Sequence, residues 1–570
     1  MAADFLSWEQ LPEGAGKESP GQQLKSEEEI SRYAVDEKMP ELDRALLFLR
    51  QGYEVQQRKA IDSLAALVRA RGRAAFDALR GPLEAALDAL EDDAEVAAAE
   101  AWATVARERL MPPQDLAECL LPPALAALRD GPEGGAREVC DAWLAVLLEL
   151  LPVLPREATL SEVVPLALAK GQVDCGVASR VLCCRLLGAL TPWLGRADVE
   201  AGYATKVVAL CQDTDYQVRV AACQQLPALA RCLGDDGLKG QLLGELTQLL
   251  EDEEPQVRAA ALATLADAAA RAGPELRRAA LLPLVRRHMQ PLELEPPVQR
   301  ALAGLFPALM EAVHAELAPG DVALFYGCFR HLAARPDAAL RRAAAGALPR
   351  LMAAPLPGAT AAYLADTWAD LAADCDDEVR ARIAASMPQL PALLGPTEAG
   401  RLLRRPLAAA LGGGAGPVRD AALAGLADVM GALFGMEEPQ REALGADLHC
   451  ALVTMRAGLG CNWRAQLALA RAFPAFPALL PGDAVHDQWT PYAMGLLVSG
   501  AHRVKPAAAA GLAAFLRAAR RDRQRTETFT RCVRELARGR GCWARLGFLQ
   551  FAAAAARRFS ARFFKSTCWT

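Results

Sequence analysis

Short apolar stretches, separated by polar turns, repeat along the chain with the spacing of amphipathic helices. The segment after Gln212 has one such stripe, in which the apolar residues lie three or four positions apart and share one face of a helix. Its members are Val218, Ala221, Ala222 and Leu226. A similar stripe occurs at residues 242–252 and again at 281–290. Because alternating strand-type runs are hard to find, the pattern predicts an all-α fold built from pairs of helices.

A basic position recurs at a nearly constant interval. The segments QDTDYQVR and EDEEPQVR place Arg219 and Arg258 39 residues apart. Extending this phase gives thirteen anchor positions with steps of 39 to 45 residues: Gln56, Ala97, Arg137, Arg180, Arg219, Arg258, Gln299, Arg341, Arg380, Arg419, Arg464, Lys505 and Arg545. Such a period is typical of HEAT and armadillo repeats. We therefore expect an armadillo-type, HEAT-repeat α-solenoid of about thirteen antiparallel helix pairs.

An acidic residue recurs four positions before the anchor, at Asp93, Asp215, Glu254, Asp337 and Asp376. We expect it in the turn between the two helices of a pair, where a carboxylate caps the free N–H groups of the second helix. Two interpretations of these charges stay open. The acids and basic anchors of successive repeats could pair in a ladder along the turns, or they could contact a partner protein directly.

Composition shifts predict three regions of the chain. Residues 1–22 are rich in Gly, Pro and Glu, and we expect them to be disordered. Residues 23–556 form the continuous solenoid, with a possible flexible joint at the glycine-rich residues 412–416. Residues 557–570 are a basic and aromatic end without the polar outer face of a capping repeat.

The charge distribution is uneven, although the net charge is only −6. Residues 501–570 carry sixteen Lys and Arg against three acids. Such an end can serve nucleic acid or an acidic partner, but a solvated Arg-rich helix face is the simpler interpretation, and we do not expect nucleic acid as a partner. The longest apolar run near the end is about half of a membrane span, so we expect no membrane partner either.

The polar residues predict no catalytic chemistry. The fifteen cysteines include no CxxC pair and the six histidines no HExxH motif, so we predict no metal site. A phosphate-binding loop and a nucleophile elbow are also missing, so we predict no catalytic residue, no cofactor and no enzyme activity. Free cysteines without a signal peptide favour a cytoplasmic protein.

Two segments carry a resemblance to a known family. LKSEEEISRYAVDEKMPELDRALLFLRQG (24–52) and LCQDTDYQVRVAACQQLPALA (210–230) resemble regulatory subunits of protein phosphatase 4, relatives of the phosphatase 2A scaffold subunit. The resemblance implies a non-catalytic, cytoplasmic scaffold that binds the serine/threonine phosphatase 4 catalytic subunit and positions phosphoprotein substrates. It also implies docking along the turns within repeats, with these candidates: Asp215, Tyr216, Arg219, Glu254, Gln256, Arg258, Asp376, Glu378 and Arg380.

Other scaffold functions remain alternatives, because a fold does not fix a function. A nuclear-transport-type receptor would read basic or Phe-Gly peptides and would bind a small GTPase. A nucleic-acid scaffold would use the basic end, and its binding would depend steeply on salt.

Overall fold

A computed structural model describes residues 38–131, 137–289, 294–354, 360–519 and 521–560. The predicted disorder at residues 1–22 and most of the C-terminal end at 557–570 lie outside these ranges. The chain divides into two compact units, Met1–Lys206 and Val207–Thr570, and each is described by itself. The described residues contain helices and no β-strand.

The helices of the first unit follow each other closely along the chain. They are α1 (Glu41–Gln51), α2 (Glu54–Asp62), α3 (Leu64–Arg71), α4 (Arg73–Leu87), α5 (Asp92–Arg107), α6 (Pro113–Asp130), α7 (Arg137–Leu150), α8 (Arg156–Ala158), α9 (Val164–Lys170), α10 (Val177–Leu190) and α11 (Arg196–Asp198). The next helix, α12 (Ala204–Cys211), begins at the end of this unit. Alternate helices pack against each other, as α5 does against α7.

The second unit continues the same order. Its helices are α13 (Tyr216–Cys223), α14 (Leu226–Gly237), α15 (Leu243–Leu250), α16 (Pro255–Arg271), α17 (Pro274–Leu276), α18 (Leu282–His288), α19 (Pro296–Val313), α20 (Pro319–Ala333), α21 (Ala338–Ala353), α22 (Thr360–Ala372), α23 (Asp377–Ser386), α24 (Leu390–Leu394), α25 (Pro396–Gly413), α26 (Gly416–Ala432), α27 (Glu438–Gly458), α28 (Trp463–Ala472), α29 (Phe476–Leu479), α30 (Gly482–Ala484), α31 (Thr490–Ser499), α32 (Lys505–Ala518), α33 (Asp522–Cys532) and α34 (Cys542–Ala556).

Several first helices of a pair are interrupted by one wide π turn. The π segments are Thr159–Val163, Val199–Tyr203, Leu238–Leu242, Arg277–Leu281, Val485–Trp489 and Val533–Ala537. Three of them are followed within two residues by a proline, at Pro165, Pro283 and Pro491. Proline has no backbone N–H for the regular hydrogen bond to the residue four positions earlier. The turn before it can therefore widen to π geometry without losing that bond. In Val199–Tyr203 the chain also kinks at Gly202, whose φ is 137°, and Val533–Ala537 forms the end of its helix.

The described residues form thirteen helix pairs, with each anchor position inside the second helix of its pair or at that helix's first residue. Second helices of neighbouring pairs pack side by side, as α16, α19 and α21 do. The prediction of an all-α solenoid with about thirteen pairs is confirmed. The predicted joint at 412–416 covers the last two residues of α25, a two-residue turn and the first residue of α26, and its flexibility stays a prediction.

The core consists mainly of leucine and alanine, with aromatic side chains at intervals. Phe306 and Phe329 pack edge to face with ring centroids 5.2 Å apart, which joins α19 to α20. Trp368 is fully buried, and its Nε1 donates a hydrogen bond of 2.9 Å to Ser386 Oγ. This bond ties the first helix of a pair, α22, to its second helix, α23.

Candidate partner-binding ridge

Three turns within pairs of the second unit are built around a short carboxylate that caps the second helix. Asp215 accepts a hydrogen bond from the Gln217 amide at 2.8 Å. Asp376 accepts from the amides of Glu378 and Val379, both at 3.0 Å. These bonds satisfy N–H groups that a helix start leaves without an internal partner. The predicted capping is therefore confirmed at these positions, and also at Asp337, which accepts from the Ala339 amide at 2.9 Å.

The capping prediction is wrong at two positions. Glu254 occupies the cap position of α16 but makes no side-chain capping bond, because its carboxylate sits on a longer side chain than that of Asp. Asp93 lies inside α5, one residue past its start, and it forms an ion pair of 2.6 Å with Arg58 instead.

The anchor arginine closes its own turn from the other side. Arg219 Nη1 donates to the carbonyl oxygens of Asp213 and Thr214 at 3.0 and 3.2 Å. Arg258 binds the carbonyls of Asp252 and Glu253 in the same way. These carbonyls lie just after the first helix, where the chain has no helical N–H to pair with them. The anchor therefore joins the end of one helix to the start of the next.

The same arginine also reaches the next turn. Arg219 donates through Nε and Nη2 to both carboxylate oxygens of Asp252, at 2.8 and 2.9 Å. Only 8 % of Arg219 is exposed. Burial alone would raise the pKa of Asp252, but hydrogen bonds from Arg219 and from the Glu254 amide outweigh it and lower that pKa. The pair is a two-bonded bridge between successive repeats.

This bridge recurs farther along the unit. Arg341 donates to both oxygens of Asp374, at 2.6 and 3.0 Å. Its neighbour Arg342 binds Asp376 at 2.6 and 3.0 Å, and this bond, together with the Val379 amide, lowers the pKa of Asp376. Arg258 pairs with Glu295. The interpretation of these charges as a ladder along the turns therefore describes what the structure contains.

We call the turns at 212–217, 251–256, 335–339 and 373–378 the acidic ridge. Within it, the first residues of the second helices remain turned toward solvent. Tyr216 is 37 % exposed, and Gln256 and Glu378 are exposed. Glu378 accepts a hydrogen bond from Arg382 of its own helix at 2.7 Å and also pairs with Arg342 of the preceding repeat at 3.2 Å. Tyr216, Gln256 and Glu378 are therefore the candidates placed to meet a partner.

The remaining candidates make contacts within the ridge itself. Asp215 and Asp376 cap helices, and Arg219 and Arg258 bridge turns. Arg380 binds the Asp374 carbonyl and the Asp377 carboxylate, and Glu254 lies half-buried at the start of α16. That all nine candidates contact a partner stays a prediction.

The acids that receive the ladder arginines were not among the residues predicted from sequence. These are Asp252 and Asp374, which lie six residues before their anchors, whereas the recurring acid noted in the sequence lies four residues before. The sequence does contain a signal for them, because Asp213 also lies six residues before its anchor. Asp213 accepts a hydrogen bond from the Asp215 amide at 2.9 Å. An aspartate at this position both shapes its own turn and accepts the preceding anchor.

The described residues offer little for catalysis. They contain no group of three or more His, Cys, Asp or Glu that could hold a metal ion. Burial raises the pKa of the Cys183, Cys328 and Cys532 thiols to about 12, so these cysteines are protonated and unreactive near neutral pH. Among the same residues, no helix has the length and apolar character needed to cross a membrane.

Solved structures place this arrangement in a known class. Importin beta, crystallised in an ammonium sulfate condition, has a TM-score of 0.53 at 12 % identity, covering 92 % of this chain and 74 % of that one. A Kap121p mutant has a TM-score of 0.53 at 13 % identity, covering 92 % and 58 %. At such identities the likeness concerns the fold alone, and no family model matches the chain. The fold is that of a HEAT-repeat α-solenoid.

Within this class, the chain is similar to serine/threonine-protein phosphatase 4 regulatory subunit 4. It is 25 % identical to the Mus musculus protein over 571 residues, an alignment covering 95 % of this chain and 65 % of the mouse protein. It is 29 % identical to the Homo sapiens protein over 196 residues, covering 34 % and 22 %. The chain thus spans slightly less than two thirds of the mouse relative's length. The resemblance noted in the sequence is confirmed, and it is a resemblance to a regulatory subunit and not to an enzyme.

Proposed function

We propose that this chain is a regulatory scaffold subunit that binds a serine/threonine phosphatase 4 catalytic subunit and positions phosphoprotein substrates beside it. The observation that carries the proposal is the similarity to phosphatase 4 regulatory subunit 4 along 95 % of the chain. The fold supports it, because a solenoid of stacked pairs offers a long surface for partner proteins.

The acidic ridge is the proposed docking surface for the catalytic subunit. Its ladder fixes the turns to one another, so that Tyr216, Gln256 and Glu378 are held on rigid elements. An exposed tyrosine is a good interface anchor, because it buries a large area with little loss of conformational freedom. The surrounding carboxylates favour a partner surface with positive charge.

The proposed mechanism is positional. Holding enzyme and substrate on one scaffold converts their meeting into an intramolecular event and raises the local concentration of substrate. No side chain of this protein takes part in phosphoryl transfer.

The test measures binding of purified phosphatase 4 catalytic subunit to the immobilised full chain. The variant combines Tyr216→Ala, Gln256→Ala and Glu378→Lys, which change outward-facing positions and keep both partners of every arginine–aspartate bridge. Of the three, Glu378 contacts a ladder residue, through an ion pair of 3.2 Å with Arg342. We expect the affinity to fall by roughly ten-fold or more, as for loss of interface anchors. The matched control is Glu442→Lys, an equal charge change on the exposed surface of α27.

Three results would count against the proposal. The first is an absence of binding by the unaltered chain, and the second is an equal loss in the variant and the control. The third is binding of a purified small GTPase, injected over the same immobilised chain in a parallel measurement, when the phosphatase does not bind. This result would favour the transport-receptor alternative.

We also propose the cytoplasm as its location. The support is that the described cysteines are free thiols, as is usual in a reducing compartment. Imaging of the tagged chain in cells tests this, and accumulation in a secretory compartment would contradict it.

A further inference from the structure

The turns of the last three helix pairs differ from the acidic ridge in charge and composition. We call the turns at 460–464, 501–505 and 538–545 the basic–aromatic patch. It contains six Lys and Arg, two Trp and no acid, whereas the acidic ridge, extended in the same way to its anchor arginines, contains eleven acids and five Arg. The change occurs within the second unit and along the same series of turns.

Cation–π contacts join these turns where ion pairs join the others. The Arg503 guanidinium lies over the Trp463 ring, 5.8 Å from its centroid, which links the first turn to the second. Lys505 Nζ lies 5.1 Å from the centroid of the Trp543 ring, which links the second turn to the third. Both contacts hold a cation against a neighbouring repeat, as the arginine–aspartate bridges do.

In these turns aromatic rings take the place of the carboxylates that pair with arginine in the acidic ridge. The positive charge of the patch is therefore left without a counter-ion. An aromatic ring attracts a cation through its quadrupole but does not neutralise it. Glu535, which lies three residues before Arg538, pairs instead with Arg531 and Arg534. Among the described residues, none forms an ion pair with a cation of the patch.

Most of the charge is at the surface. Lys505 is only 2 % exposed and donates to the Val498 carbonyl at 3.1 Å, so it holds the patch together from within. The other five cations are exposed: Arg464, Arg503, Arg538, Arg540 and Arg545. Neighbouring cations repel one another, and an anionic partner would relieve that repulsion.

We propose that the basic–aromatic patch binds an acidic peptide segment of a partner protein, at a site separate from the acidic ridge. Neighbouring helix pairs lie about 10 Å apart, so three turns span roughly 20 Å. An extended peptide of about six to eight residues covers that distance. Alternating Asp or Glu side chains would then reach the arginines of successive turns.

The aromatic rings favour a peptide over a single-stranded nucleic acid. Single strands are bound by stacking bases on free aromatic faces. In the patch, each tryptophan already holds a cation over its ring. Arg464 and Arg503 lie over Trp463 at 4.7 and 5.8 Å, and Lys505 lies over Trp543, which is 58 % exposed.

The test measures fluorescence anisotropy of a labelled peptide of about eight glutamates with the full chain. The uncharged glutamine peptide and a single-stranded oligothymidylate of similar length serve as alternative probes. The variant Arg538→Glu/Arg540→Glu reverses two exposed charges whose side chains form no hydrogen bond or ion pair within the part of the chain that the structure describes. The control Arg231→Glu/Arg405→Glu reverses two exposed arginines on α14 and α25.

We expect the glutamate peptide to bind, the glutamine peptide not to bind, and the affinity to fall as salt is raised. The patch variant should weaken binding by roughly ten-fold or more, with the control unchanged. The proposal is overturned if the glutamate peptide does not bind, if both variants lose affinity equally, or if oligothymidylate binds more tightly. The last outcome would make the patch a nucleic-acid surface. Because no phosphatase is present in this assay, its result is independent of the proposed function.

Discussion

At the scale of single residues, the arginine–aspartate bridges are the contacts that hold one repeat to the next. Arg219 and Asp252 are each about nine-tenths buried, with side-chain exposures of 10 % and 11 %. Removing one partner leaves the other as a buried, unpaired charge, which is costlier than the net value of the pair. We expect Arg219→Ala to lower the free energy of local unfolding by on the order of 3 kcal/mol. The measurement is hydrogen exchange, which should become faster in α13 and α16.

Hydrogen exchange suits this test because it reports stability locally, helix by helix. Exchange in α34 is the internal control and should not change. In the double variant Arg219→Ala/Asp252→Ala no unpaired charge remains. Its hydrogen exchange should therefore be accelerated by less than the two single variants together would suggest. Strictly additive effects would show that the bridge contributes no coupling.

The same bridges make stability depend on acid pH. In Asp252 and Asp374, burial opposes ionisation, but hydrogen bonds from Arg219 and Arg341 prevail, and the folded pKa lies below the ordinary value of 3.8. A carboxylate of this kind stabilises the fold above its unfolded pKa, and this contribution is lost as the pH falls through the folded pKa. We expect the melting temperature, followed by circular dichroism, to fall over that acidic range.

The variant Asp252→Asn isolates this effect, because an amide keeps the shape and cannot ionise. Its melting temperature should be lower near neutral pH and should fall less steeply on acidification. An unchanged slope would assign the pH dependence to other groups.

The residue scale also shows which contacts are readable from sequence and which are not. The anchor arginines stand out because their interval is constant, and the capping role of Asp215 follows from its place before a helix. The partner of Arg219 could not be chosen from sequence, since Asp252 and Glu254 are both acidic and both near the next turn. Only the structure shows that the Arg219 guanidinium binds Asp252, which comes earlier in the chain than Glu254 and has the shorter side chain.

At the scale of helices, close approach depends on glycine at a few places. Gly445 lies inside α27, and a Cβ added there would clash with the Leu479 carbonyl oxygen. Since backbone cannot yield as a side chain can, Gly445→Ala must push α27 away from α29. We expect a loss of about 1–3 kcal/mol, as for overpacking, seen as a lower melting temperature.

Gly304 supplies the matched control, because it lies inside α19 and a Cβ added there would have no atom within 4 Å. Alanine there should instead stabilise the helix by about 0.5–1 kcal/mol. If both substitutions shift the melting temperature in the same direction, the close approach of α27 and α29 is not the reason that glycine occupies position 445.

Helix identity was predictable because apolar periodicity and helix-forming residues agree in nearly every segment. The π turns inside first helices were not predictable, because the apolar stripe continues across them. Pro165, Pro283 and Pro491 mark three of the six, but Val199–Tyr203 and Leu238–Leu242 have no proline signal.

At the scale of the molecule, the number of repeats follows from the period alone, whereas the surfaces depend on which turns become neighbours. The excess of Lys and Arg after residue 500 is visible in the sequence. The sequence does not show which of these cations pair with acids on helices and which belong to the uncompensated basic–aromatic patch. The reason is that Trp463 and Trp543 contact their cations across neighbouring repeats.

The two proposed surfaces lead to a last prediction about the whole chain. The acidic ridge ends at residue 378 and the basic–aromatic patch begins at residue 460, with the α25–α26 pair and its turn between them. Partners of opposite charge should therefore bind at the same time. Saturation with the glutamate peptide should leave the affinity for the phosphatase 4 catalytic subunit unchanged within about two-fold, which is well under 1 kcal/mol.

Surface plasmon resonance of the immobilised full chain, with the phosphatase injected in the presence and absence of peptide, makes this measurement. The Arg538→Glu/Arg540→Glu variant should show the same phosphatase affinity in both conditions. Displacement of the phosphatase by the peptide from the unaltered chain, but not from this variant, would mean that the enzyme docks on the basic–aromatic patch. The scaffold would then hold its enzyme at the last repeats, and the acidic ridge would be left for the substrate.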